Sequence, residues 1–119
     1  MALSKVFSVE DIVELNENCA KQKTALLVQF GSERCIRCPA FTETVAELAK
    51  THSFHWAYAD AHHPDCTLVE HFEIQKLPAF VLMIPGDESP LTVANATPDQ
   101  VSQSVVRLCH PRLELDADF

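Results

Sequence analysis

The 119 residues are enough for one hydrophobic core and too few for two. A net charge of −8, from 17 acidic against 9 basic side chains, speaks against a nucleic-acid-binding face and against attraction to anionic lipid. No apolar run approaches the ~18 residues of a membrane span, and residues 1–7 lack the long hydrophobic centre of a signal peptide, so a reducing, cytoplasmic setting is expected.

Residues 3–7 alternate enough for a short strand, and Ser8-Val9-Glu10-Asp11 reads as a capping box with Asp in the closing position. A helix is expected to about Lys21, burying Val9, Ile12, Val13 and Ala20, with Cys19 as a small hydrophobe on the same face. Residues 25–30, Ala-Leu-Leu-Val-Gln-Phe, form a continuous apolar run broken only by Gln29, the pattern of a strand covered on both faces. Phe41, Val45, Leu48 and Ala49 then recur at helical spacing up to about Thr51. Residues 54–60 form a third strand with its aromatics on one side, where Trp56 packs rather than serving as a binding platform. A turn at 61–65 and a short helix through Val69 and Phe72 follow.

Pro78 precedes the apolar run 79–84, where a proline at the first strand position removes no ladder bond. A turn at 85–88 leads to a return strand at 91–94, and Asn95 suits a turn position of positive φ. Thr97-Pro98-Asp99-Gln100 opens a last helix that runs to about Leu108 and buries Val101, Val105 and Leu108. The domain is therefore expected over residues 1–109, with 110–119 as an acidic tail.

Between the second strand and the second helix lies Arg34-Cys35-Ile36-Arg37-Cys38-Pro39. Two intervening residues bring both cysteines to the first turn, within reach of a disulfide, and unpaired amides there favour a thiolate. Arg34 and Arg37 add positive potential and should lower the Cys35 pKa below the roughly 8.5 of a free thiol. Cys35 is then the attacking sulfur and Cys38 the resolving one. Five cysteines, at 19, 35, 38, 66 and 109, are an odd number without the even framework of a secreted disulfide scaffold, and most are expected to be free.

The element order β-α-β-α-β-α-β-β-α, the Cys-x-x-Cys after the second strand and Leu77-Pro78 before the fourth together resemble the thioredoxin family over nearly the whole chain. The resemblance implies an α/β fold with a central mixed sheet of about five strands flanked by four helices. It also implies a cis peptide before Pro78 and a peptide-binding backbone at Leu77. The implied activity is thiol-disulfide exchange on protein disulfides without a bound cofactor. A reductase or glutathione would supply the electrons, and the protein is expected to act as a monomer.

Several positions depart from that pattern. Arg34 and Gly31 stand where the family has aromatics, and Ile36-Arg37 replaces Gly-Pro, which implies a more oxidising pair. Gln29 and Tyr58 match the family's buried aspartate and its lysine partner, and neither accepts a proton at neutral pH. A narrower client range follows, or alternatively an interaction or assembly module whose dithiol is weak or regulatory. Elsewhere, His62, His63 and Cys66 have metal-type donors without an evident fourth ligand, for which Asp60 or Asp65 is the candidate, and no metal is expected. Cys66 or Cys109 is open to a regulatory or intermolecular disulfide. His52, His55, His71 and His110 are read as surface or strand residues.

Overall fold

A computed structural model of the chain describes residues 4–86 and 89–109. Leu3, the turn positions Asp87 and Glu88, and the expected tail at 110–119 with His110 lie outside the described residues.

The most buried run of the sequence becomes the middle of the sheet. Strand β2, Ala25–Gly31, is buried at every position and has a neighbour on each edge. It runs parallel to β3, Phe54–Asp60, in a register that sets Gln29 opposite Tyr58 and Gly31 opposite Asp60. On its other side it runs antiparallel to β4, Ala79–Met83, with Gln29 opposite Phe80. Strand β1, Ser4–Lys5, adds parallel to β3, and β5, Leu91–Val93, closes the far edge antiparallel to β4. The sheet is mixed and five-stranded, as expected, and its strand order is β1-β3-β2-β4-β5.

Strand alternation divides the core into two layers. Leu26, Val28 and Phe30 face a cluster with Ile12 and Cys19 of α1, Val9–Lys21, and with Leu68 of α3, Leu68–His71. Ala25 and Leu27 face the other layer, with Phe41 and Val45 of α2, Cys38–Thr51, and Val101 and Val105 of α4, Pro98–Leu108. Aromatic rings brace both layers. Phe30 meets Phe72 edge-on with centroids 6.1 Å apart, and Phe41 lies tilted against Phe80 at 6.1 Å.

Helix starts match their sequence signals: Ser8 with Asp11, and Thr97 with Gln100, form reciprocal capping boxes. Two helical faces are rotated from expectation. In α1, Val13 is 51% exposed and Ala20 is exposed, while Leu15 packs on the core instead. At about 100° per residue, the buried pair Ile12 and Cys19 point the same way, while Val13 lies at least about 100° round from both. In α4 the stripe advances by four residues from Val101 to Val105 to Cys109, so Cys109 is buried where Leu108 was expected, and Leu108 is exposed. Gly86 adopts φ 85 after β4 and Asn95 adopts φ 52 after β5, both conformations suited to their residue types.

Candidate active site

The carboxyl end of β2 hands the chain to a turn before α2. Cys35 N–H donates to the Ser32 carbonyl at 3.2 Å and Cys38 N–H to the Cys35 carbonyl at 3.3 Å. Helix α2 begins only at Cys38, with Arg37 as its N-cap and Pro39 in the first turn. The expectation that both cysteines share the first helical turn is therefore corrected: Cys38 occupies it and Cys35 stands three residues upstream. The physical reason is Pro39, whose ring and missing N–H suit only the start of a helix.

Cys35 and Cys38 are joined by a disulfide, with Cα atoms 5.3 Å apart. Their environments differ. Cys38 is 5% exposed beneath the turn, whereas Cys35 is half-buried and lines an open hollow with Arg34, Arg37, His62, Gln75 and Leu77. Between the two cysteines, Ile36 projects outward and is 94% exposed.

The opposite wall comes from the start of β4. The Leu77–Pro78 peptide bond is cis, Pro78 is buried and Leu77 is half-buried. The Pro78 carbonyl accepts from Ala96 N–H at 2.7 Å, and the Lys76 carbonyl accepts from Asn95 N–H at 3.3 Å. Arg37, whose side chain does not cap its own helix, reaches across to this wall. Its Nη2 donates to the Leu77 carbonyl at 3.0 Å and to Asn95 Oδ1.

Beneath the motif, Gln29 is fully buried and bonded at both ends of its amide. It faces the α2 side because it continues the alternation of Ala25 and Leu27. Its Nε2 donates to Thr42 Oγ1 at 2.7 Å, and its Oε1 accepts from Trp56 Nε1 at 3.0 Å. This links both strands to the helix that carries Cys38. On the edge of the same region the Tyr58 ring lies over Gly31: a Cβ on Gly31 would meet Tyr58 Oη at 2.8 Å. The Tyr58 phenol is pushed above its ordinary value by burial, then by the Asp60 and Glu33 carboxylates.

The thioredoxin family model matches residues 6–107. The chain belongs to the thioredoxin family. Its fold is similar to that of thioredoxin O1 from Arabidopsis thaliana in the oxidised state, with TM-score 0.75 and 14% identity over 91% of this chain and 98% of that one. It is also similar to thioredoxin NaTrxh from Nicotiana alata, with TM-score 0.72 and 17% identity over 91% and 93% of the two chains. The oxidised thioredoxin of Plasmodium falciparum matches with TM-score 0.67 and 19% identity over 89% and 97%. No curated protein matches the sequence. Membership of the thioredoxin family, with its bonded Cys35–Cys38 pair, makes the chain a thiol-disulfide oxidoreductase.

The structure brings the sequence-selected residues Arg34, Cys35, Arg37 and Leu77 around one hollow. Two participants stood out in the sequence for other reasons. Asn95 was noted for its turn conformation, yet its side chain receives Arg37, and His62 was noted as a metal-type donor with His63 and Cys66, yet lines the hollow beside Cys35. The His62, His63 and Cys66 cluster comes apart. His63 lies tilted against Phe7 with centroids 4.7 Å apart and its Nδ1 accepts from Asp65 N–H, while Cys66 packs against the α1 side of the core. Among the described residues no three metal-binding side chains converge. Cys109 is 6% exposed, and burial pushes its thiol up to about 11, conditions that oppose an intermolecular disulfide there.

Proposed function

We propose that the protein exchanges disulfides with a restricted set of protein clients, with Cys35 attacking and Cys38 resolving. The observation that carries this reading is the unequal exposure of a bonded pair: the half-buried Cys35 faces the hollow and Cys38 lies buried behind it. In the reduced protein the Cys35 thiolate attacks one sulfur of a client disulfide. A Cys35–client bond forms, and the other client sulfur leaves as a thiolate that takes a proton from water. The Cys38 thiolate then attacks the Cys35 sulfur, closing the Cys35–Cys38 bond and releasing the second client thiol. Two electrons pass to the client, and a reductase dithiol or two molecules of glutathione return them.

Arg34 and Arg37 favour the Cys35 thiolate through their charge, and the backbone around Leu77 and Pro78 receives the client chain. The poise is more oxidising than that of a Gly-Pro motif, the site of action is cytoplasmic, and the protein works as a monomer. Gln29 supports the narrower client range and also a second reading, in which the domain serves mainly as an interaction module. Held at both ends of its amide, it offers no carboxylate to deprotonate a buried Cys38.

Replacing Cys38 by Ser tests the assignment: covalent client adducts should accumulate and should vanish when Cys35 is replaced as well. Adducts that survive loss of Cys35 would refute it. Insulin reduction with dithiothreitol separates the two readings, since turnover well above background counts against the interaction module.

A further inference from the structure

Within an acidic chain, the hollow beside Cys35 has a cationic lining: the guanidinium groups of Arg34 and Arg37 reach it beside His62, and among the described residues no carboxylate does. Glu33 and Asp60 line an adjoining hollow that shares Arg34 and His62 with this one. One of the two guanidinium groups is already engaged. Arg37 Nη2 donates to the Leu77 carbonyl and to Asn95 Oδ1, both neutral acceptors, although the side chain as a whole is exposed. The loop beneath it is braced, since Asn95 and Ala96 donate their N–H groups to the carbonyls of Lys76 and Pro78. The bridge therefore joins the dithiol turn to a firm wall and runs over the carbonyl that an incoming extended chain would use.

A guanidinium bound to neutral oxygens exchanges them readily for a carboxylate, because a charged acceptor roughly doubles the strength of the hydrogen bond and matches the planar fork. An incoming neutral chain must break the bridge without replacing it. An incoming acidic chain replaces it with a stronger one and frees the Leu77 carbonyl at the same time.

We propose that Arg37 is a strap across the client groove, released by a carboxylate, so that the site selects disulfide partners with an acidic residue beside the reacting cysteine. This rests on the thiol-disulfide reading of the same site and names its substrate class. Ile36, exposed between the cysteines, favours an apolar residue in the same client segment.

The experiment uses two pairs of fluorescent peptides that differ only in having Asp or Asn on both sides of the central residue. In one pair that residue is a cysteine in a disulfide, and in the other it is serine, so binding is read without chemistry. The wild-type protein should bind the Asp-serine peptide about tenfold tighter than its Asn counterpart at low salt. Arg37→Gln should bring that ratio close to one, mainly by tightening the Asn peptide. Asn95→Ala, which loosens the strap and keeps the cation, should tighten both peptides and keep the Asp preference. Equal wild-type affinities, or an unchanged ratio in Arg37→Gln, would overturn the strap. Failure of the disulfide pair to react through Cys35 would overturn the exchange reading instead, while the serine pair still reports on Arg37.

Discussion

A cysteine lies near each end of the central strand, Cys35 in the turn that follows it and Cys109 at the end of α4, and their surroundings differ. At the carboxyl end of β2, Cys35 sits half-buried in an open, cationic hollow beside Leu77. At the amino end, Cys109 lies 6% exposed against Ala25, Ser53, Ile84 and Leu108. The first is bonded to a neighbour that can be displaced, and the second has its thiol pushed up to about 11 by burial alone. Residue type is common to both. Reactivity comes from exposure and from which charges the fold delivers, since only the thiolate attacks and burial opposes it.

The largest expected effect breaks the contrast outright. Cys35→Ser should abolish disulfide exchange with a model client, whereas Cys109→Ser should leave the rate within about twofold, because a buried neutral thiol takes no part. Activity lost in Cys109→Ser with an unchanged unfolding midpoint would show that the amino end matters to the chemistry.

A second effect concerns the stability of the reactive end. Gln29→Leu leaves the Trp56 indole N–H and the Thr42 hydroxyl without their partner and should cost about 1–3 kcal/mol in urea unfolding. Amide protection should drop first in the opening turns of α2, which carry Cys38, and later around Cys109. A uniform loss along the chain would mean that Gln29 is a general core residue rather than an anchor for the dithiol.

Helix caps offer a smaller probe of the amino end. Thr97→Ala removes the hydroxyl that accepts from Gln100 N–H at 3.1 Å, so α4, which presents Cys109, should weaken by about 1 kcal/mol in thermal or chemical unfolding. Exchange at Cys35 should be unchanged.

The smallest effect is the pH dependence. Folding holds the Cys109 proton more tightly than the ordinary value of 9.0, so its contribution to stability is complete below that pH and is lost as pH rises through about 11. Cys19 and Tyr58 are raised in the same direction. Unfolding midpoints of the reduced protein should therefore fall across this window, and Cys109→Ser should make the fall shallower without removing it.

Much of this architecture is legible in the chain. Residues 25–30 announce a strand covered on both sides because every position but Gln29 is apolar, and Ser8 and Thr97 mark their helices because a first-turn amide needs a nearby acceptor. The place of Pro78 beside the dithiol was implied only by the family resemblance, whereas Cys35 and Cys38 stand out by their spacing, which puts two sulfurs within reach of each other. These are local rules, carried by neighbours within a few residues.

What the sequence could not decide depends on residues distant along the chain. Arg37 reads as a charge beside a thiol, and only folding brings it to Leu77 and Asn95, 40 and 58 residues away. Gln29 reads as a blemish in an apolar strand until Thr42 and Trp56 converge on its amide. The burial of Cys109 in place of Leu108 follows from the rotation of α4 against the sheet. Periodicity sets which residues share a face, but the direction of that face is fixed by packing, where a buried polar group must find its partners and a side chain must fit the space left by others.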